Sequence, residues 1–557
     1  MKSYTIIYKG DITNALNEIG VNQYMILNNQ LAVIYVPDDF DENILTEVKE
    51  VSWFQEAEEM STMIEIGDDT EGGETVTVAS GVNFIENNPY INVNGNGVII
   101  GILDSGINYM HPDFINDDNT SKIISIWDQD SNKTQPPVGT LFGSEFTREE
   151  INGAIRNNDS SLTTDNIGTG TIAAGIAAGS GRLNPLYRGV AKKSELIVVK
   201  LKQYEGTFKD GKINYLNTDF LAGIKYILDI AKRENKLLII NLSIGERSRS
   251  VIITTLLETF EEFTTSGVIL VSSAGNEGDT DTHYEGNVIE GNTQKDIIVE
   301  VGELNSLDIT ICPNGPGRGG VEVISPAGEI SYRVDYSPDG RAYEGEFNLE
   351  NSRYIIKLNY PWLLSGNEEI SIRIIDIKPG IWTIRIFPEF ATTGEFDIYL
   401  PNRNIIDANT RFLDSSSNAT ITLYGATENV ITVGTYNDKT NSMWIGSSRG
   451  PIRAKIVTKP DIVAPGVDII APYENNNYIK ATGTGVSSSL TAGVLALIME
   501  YLSRQGLYYR NTLFTKVLKT YLMLGATRNN IYIFPNDSQG YGVLNLQKTI
   551  EAIANKL

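Results

Sequence analysis

Residues Ala481–Leu502 read ATGTGVSSSLTAGVLALIMEYL, a Gly/Thr-rich turn running straight into an apolar stretch long enough for a helix. The small residues at 481–489 let the start of that helix pack closely against neighbouring backbone. After Val486 come three serines, then Leu490, Ala492, Gly493, Val494, Leu495, Leu497, Ile498 and Met499. A helix that is apolar on nearly every side is a buried helix. At about 1.5 Å per residue, the segment is expected to fall short of a bilayer span. It reads as a core helix with a tight turn in front of it.

Outward from this helix, the sequence supplies a sheet. Val98–Leu103 is a continuous apolar strand followed by Asp104-Ser105-Gly106. Leu196–Lys200, Leu237–Asn241 and Val268–Ser272 read as further buried strands, with a helix over Phe220–Glu234 between the first two. This β-α-β alternation predicts a parallel sheet. In doubly wound folds, sites gather at the C-terminal ends of the strands, where Asp104 stands. The pattern breaks between residues 285 and 425. There, short strands rich in β-branched and aromatic residues, from Ile297–Val301 to Thr420–Tyr424, are punctuated by Pro and Gly. They predict an inserted all-β domain, a jelly roll. The α/β pattern resumes at Val430–Thr435. Residues 1–60 read strand, helix, two strands, helix, strand, the ferredoxin-like order. Residues 57–97 are acidic, then rich in Gly, Thr and Asn, and are expected to form an exposed linker.

The chain has 557 residues, enough for several domains. Its 41% apolar and 21% charged residues are those of an ordinary globular protein. A net charge of −25 opposes nucleic acid and anionic membranes as partners. It leaves room for a structural cation, although no metal-ligand set is identified and no cofactor is expected. A single cysteine, Cys312, excludes an intramolecular disulfide. No apolar signal region follows Lys2, so synthesis in the cytoplasm without a signal peptide is expected. No run of 18 apolar residues occurs, and no membrane span is expected. Only two histidines, His111 and His283, are available for acid–base work.

Several motifs, in this chain order, resemble the subtilisin-like serine proteases, or subtilases. Gly101–Phe114, GILDSGINYMHPDF, resembles the motif that carries the triad aspartate, which places that role at Asp104. Where active subtilases show Gly-His-Gly-Thr, this chain reads Gly168-Thr169-Gly170-Thr171. Where they carry Gly-Thr-Ser-Met-Ala at the start of the core helix, it reads Gly483-Thr484-Gly485-Val486-Ser487. The resemblance therefore puts Thr169 at the general base and Gly485 at the nucleophile. It also makes Asn276 the oxyanion-hole residue and Ser243-Ile244-Gly245 the edge of the substrate groove. Ser448–Pro451, Lys459–Gly466 and Gly540–Asn545 continue the likeness, which covers roughly residues 98–280 and 425–550. The layout implied is a retained prodomain with its linker (1–80), a subtilase domain in two parts (81–284 and 426–557) and the inserted jelly roll (285–425). That layout resembles the Csp germination protease branch, and the replacements at Thr169 and Gly485 resemble its pseudoprotease member.

The chemistry of these residues points the same way. Attack on an amide needs a nucleophile and a base that accepts its proton. Gly485 offers no nucleophile, and the neutral hydroxyl of Thr169 does not shuttle a proton as imidazole does. Ser487 should point about 200° away from position 485, with Ser488 and Ser489 further along into the core. His111 is expected to pack with the Asp104 loop, and His283 lies by the insertion. Asp104 is expected to accept a hydrogen bond from Thr169 Oγ1. Without self-cleavage, the prodomain tail near residues 66–80 is expected to lie in the cleft. Two functions are weighed. One is a catalytically inactive regulator or germinant sensor in spore germination, with other Csp-family proteases as partners, a bile-salt germinant as ligand and the spore as its location. The other is a degenerate but active serine-type peptidase.

Overall fold

The computed structural model describes all residues except 87, 250–255, 289–293, 337–341, 361–365, 454–456, 505–512 and 556–557. Strand β1 (Lys2–Tyr8), helix α1 (Ile12–Glu18), β2 (Tyr24–Ile26), β3 (Leu31–Val36), α2 (Ile44–Glu47) and β4 (Val51–Glu56) form the N-terminal unit. Asp11 caps α1 by accepting the Asn14 N–H, as a short acidic side chain does at a helix start. The sheet is antiparallel in the order β2-β3-β1-β4. Tyr4, Ile6, Ile12, Leu16 and Ile34 fill the space between sheet and helices.

The following segment differs from its composition. Residues 57–97 were expected to be exposed; Asp68, Asp69, Glu71 and Gly72 are, yet β5 (Glu59–Thr62) and β6 (Glu65–Ile66) pair with neighbouring strands and parts of the stretch are buried. Met60, Met63 and Ile64 are buried, and Val76, Val82, Ile85 and Val93 join the main core. The acidic and small residues between them gave the stretch its linker-like composition. These seven apolar side chains hold it down.

Among the described residues, the largest sheet has nine strands. Its centre is β7 (Val98–Asp104), with parallel neighbours at Glu195–Lys200 and at β8 (Leu237–Leu242). The sheet continues in parallel through β10 (Val268–Ser273) to Ile431–Asn437 and Ile462–Pro465, with β9 (Ile244–Gly245) lying just beyond the end of β8. Helix α3 (Thr169–Ala178) and helix α5 (Thr484–Arg504) pack on one face. Helix α4 (Asn217–Glu234) covers the other. α5 runs for 21 residues, longer than the sequence suggested, and by length and composition alone it would cross a membrane. Burial decides its place instead, because 94% of its most apolar stretch lies inside the protein.

Two antiparallel sheets form the insertion. Among the described residues, one has six strands, from His283–Asn287 to Ala342–Phe347, and the other four, including Lys295–Val301 and Gly380–Phe390. One apolar cluster, with Trp382, Ile356, Ile372 and Val299, draws on both sheets. Thr420–Tyr424 was expected as a strand and is irregular. Its backbone N–H groups bond to loops, Thr420 to Arg449 O and Thr422 to Ala274 O, so no ladder forms.

Candidate functional site

Asp104 ends β7 and is fully buried beneath the start of α3 and the end of β8. Its Oδ1 accepts the Thr169 hydroxyl at 2.5 Å and the Ser105 N–H at 2.7 Å. Its Oδ2 accepts the Ser243 hydroxyl at 2.5 Å. Burial pushes the Asp104 carboxyl above its ordinary value, against these three donors. The Thr169 oxygen also lies 3.0 Å from Ser105 Oγ, which accepts the Gly170 N–H at 2.9 Å. The Thr169 hydroxyl proton is thus spent on Asp104.

Gly485 begins the first turn of α5, where free backbone N–H groups face outward. Its N–H donates to the Met63 carbonyl at 2.9 Å. Asn276 lies alongside. Its Oδ1 accepts from Thr484 N (3.0 Å) and Thr484 Oγ1 (2.8 Å). Its Nδ2 is buried without a hydrogen-bond partner among the described residues. Gly483, at φ +133°, makes the approach possible: a Cβ there would stand 2.3 Å from the Met63 oxygen and 3.0 Å from Asn276 Nδ2. Thus a peptide carbonyl from the protein's own chain sits where one helix N–H polarises it.

That chain is β5. Its neighbour on one side is β9, with Ser61 opposite Gly245 and Thr62 opposite Ile244. Met63 N–H continues the ladder to Ser243 O at 2.8 Å. Its neighbour on the other side is Ile213–Leu216, with Met60 opposite Tyr215. Asn402 and Asn404 add side-chain bonds to Ser61 Oγ and Thr62 O, and β6 then pairs with Tyr478–Thr482. The cleft is filled by residues 59–66. The expected occupant, residues 66–80, lies beyond it, because the pairing partners of β5 and β6 set the register and the composition of the tail does not.

The remaining candidates are remote from any reaction. Ser487 Oγ donates to Ala464 O, while Ser488 Oγ and Ser489 Oγ both donate to Gly485 O. His111 is buried, its Nδ1 accepting the Asp113 N–H and its ring set against Tyr478. His283 pairs with Asp397 at 2.9 Å and stacks on Tyr399 at 4.6 Å, within the inserted domain. Met63, Ile64 and Asn402 were not legible as site residues, since none belongs to a motif, and Ser105 sits inside the Asp104 motif without a role of its own there. Among the described residues, no group of three or more His, Cys, Asp or Glu side chains is arranged to hold a metal ion.

Comparison with known proteins gives these positions a context. The sequence profile of the subtilase family matches residues 95–339 and 402–542. The chain is 24% identical over 522 residues to a PIII-type proteinase of Lactococcus lactis subsp. cremoris, covering 82% of this chain and 25% of the proteinase. It therefore spans about a quarter of the length of that relative. A subtilisin of Bacillus sp. (strain TA39) is 28% identical over 210 residues, 37% of this chain and 40% of the subtilisin. Among solved structures, the Clostridium perfringens CspB protease superposes with a TM-score of 0.75 at 27% identity, covering 86% of this chain and 98% of that one.

Proposed function

The chain belongs to the subtilase family, and from that premise we propose that it is a pseudoprotease, a regulator or germinant sensor in bacterial spore germination that acts upstream of an active Csp protease and a cortex hydrolase. One observation carries the non-catalytic part. The Met63 carbonyl is held by Gly485 N–H in the cleft, and the residue beside it has no side chain to attack it. The base position is a threonine whose proton is bonded to Asp104. Acyl transfer lacks both its nucleophile and its proton acceptor. In this reading, residues 1–66 are a ferredoxin-like prodomain with its tail, never cut, and the inserted sheets are a jelly roll.

The germination part rests on resemblance to the Csp branch and its pseudoprotease CspC, and on the fold likeness to the CspB protease. Other Csp proteases as partners, a bile-salt germinant and residence in the spore belong to the same proposal. A second reading, a degenerate serine-type peptidase, draws on the half of the machinery that persists: a helix N–H on a carbonyl and an unpartnered Asn276 amide beside it.

A fluorophosphonate probe tests the first point. The purified chain is expected to take no covalent label, and labelling of the native protein would establish the second reading instead. Spores lacking the gene, exposed to several candidate germinants, test the other part. Loss of response to at least one germinant is expected, and unchanged germination would reject the regulatory role.

A further inference from the structure

Arg249 is a fully buried guanidinium at the meeting point of three parts of the chain. Its Nε donates to Glu369 at 2.7 Å, on the Glu369–Ile375 strand of the inserted domain. Its Nη1 donates to Glu246 at 2.7 Å, just past β9, and its Nη2 pairs with Glu58, the residue before the cleft strand β5. Arg247 binds the same Glu58 at 3.1 Å. Asn217, at the start of α4, completes the junction: its Nδ2 donates to Glu246, and its Oδ1 accepts the Glu58 N–H. Three carboxylates thus share two arginines. Beside it, Arg373 pairs with Asp308 at 2.7 Å and with Glu56 at 3.8 Å. A cavity of about 440 Å³ adjoins the cluster, is lined by Glu58, Arg247, Asp308 and Arg373, and gives solvent a route to it.

We propose that this junction is a proton-dependent latch: it holds the cleft strand and the inserted domain on the subtilase domain while one of its three carboxyls carries a proton, and it loosens when that proton leaves. This deepens the proposed function and rests on its reading of residues 59–66 as a retained tail. Among the described residues, two cations and three anions meet in this largely buried cluster, and the excess negative charge is costly there. Glu246 is the proton holder. Burial and the neighbouring Glu58 carboxylate push its carboxyl up to about 7. Glu58 is the opposite case: burial opposes ionisation, but Arg247 and Arg249 hold its carboxyl down at about 2. Burial also raises Glu369, against the pull of Arg249, and it raises the nearby Cys312 thiol and Tyr424 hydroxyl, so neither of those contributes charge near neutrality. The sign follows. Between the ordinary glutamate value of 4.5 and about 7, the latched state binds more protons than the open one, so latching weakens as pH rises through that window and stays weak above it.

The test is limited proteolysis of the full-length protein, scored at residues 57–66 at pH 6 and pH 8. Each rate is normalised to an unstructured reporter peptide cut by the same protease. The native chain is expected to be cut about tenfold faster at pH 8 than at pH 6. Glu246→Gln is expected to fold, to stay protected at both pH values and to lose the difference. Glu369→Gln is expected to flatten the profile too, because the cluster is then neutral with Glu246 ionised. A flat profile in the native chain would overturn the latch, as would an undiminished pH difference in Glu246→Gln. So would a Glu246→Gln chain that fails to fold at pH 6, which would mean that the ionised carboxylate is required. Intact mass of the starting material separates this from the parent reading. A chain already cut after Met63 would refute the non-catalytic proposal, while the latch would still read out as pH-dependent dissociation of the N-terminal fragment.

Discussion

Gly485 does more than omit an oxygen. A Cβ at this position would lie 2.7 Å from Ile64 Cγ1, 2.9 Å from the Met63 oxygen and 3.0 Å from the Ser243 oxygen. Two of those three neighbours are backbone atoms, which yield less readily than a side-chain end. The cleft strand therefore sits closer to α5 than a serine at 485 permits. Gly485→Ser on its own is expected to lower stability by about 1–3 kcal/mol, the usual cost of overpacking. Thermal unfolding of the variant checks this, and an unchanged midpoint would mean that the tail gives way freely. At this scale the sequence was informative where a motif surrounds the residue. Asp104, Thr169, Gly485 and Asn276 were all named from their neighbours, and the structure brings all four to one end of the central sheet. It was uninformative for Met63, whose role depends only on what lies across from it.

The cleft strand is the element on which these residues act. β5 is held between Ile213–Leu216 and β9, and the Met63 carbonyl just past it accepts the helix N–H of Gly485. Uncut, the tail stays at high effective concentration beside its groove, which disfavours any external peptide there. The protein isolated from its native source is therefore expected to carry residues 1–63 covalently attached, measured as intact mass. A main species beginning at Ile64, or further along the chain, would contradict this. Introducing both side chains, Thr169→His with Gly485→Ser, asks whether these groups alone confer self-cleavage. The cut is expected after Met63, not in the acidic stretch beyond it, because Met63 supplies the polarised carbonyl. Continued retention of the tail would mean that the cleft geometry has drifted as well. The expectation of an exposed linker held for Asp68, Asp69, Glu71 and Gly72 and failed for the apolar positions on either side, for a physical reason. Composition reports the average polarity of residues 57–97, whereas burial was decided by a few apolar side chains at the right spacing.

Across the whole molecule, the inserted domain is tied to the rest by charged groups as well as by its two chain crossings. Arg249 with Glu369 and Lys209 with Asp407 both join it to the subtilase domain. On the far side, Arg453 reaches Asp397 at 2.9 Å. Removing one partner from a buried pair leaves an uncompensated charge and costs about 3–5 kcal/mol. Mild proteolysis of the native protein is therefore expected to release no intact β-domain. Recovery of such a fragment would show that it swings on its crossings.

What the sequence determined by itself is whatever can be written in local pattern. The alternation of buried strands and helices set the parallel sheet, the run of short strands set the all-β sheets, and fixed motifs picked out Asp104, Thr169, Asn276 and Gly485. The tertiary structure decided the rest. That Met63 occupies the cleft, that Asn276 turns its oxygen to Thr484, and that Glu58, Glu246 and Glu369 converge on one arginine are all pairings between residues far apart in the chain. Such pairings leave no period or motif in the sequence, because each partner is an ordinary residue until the fold brings the other to it.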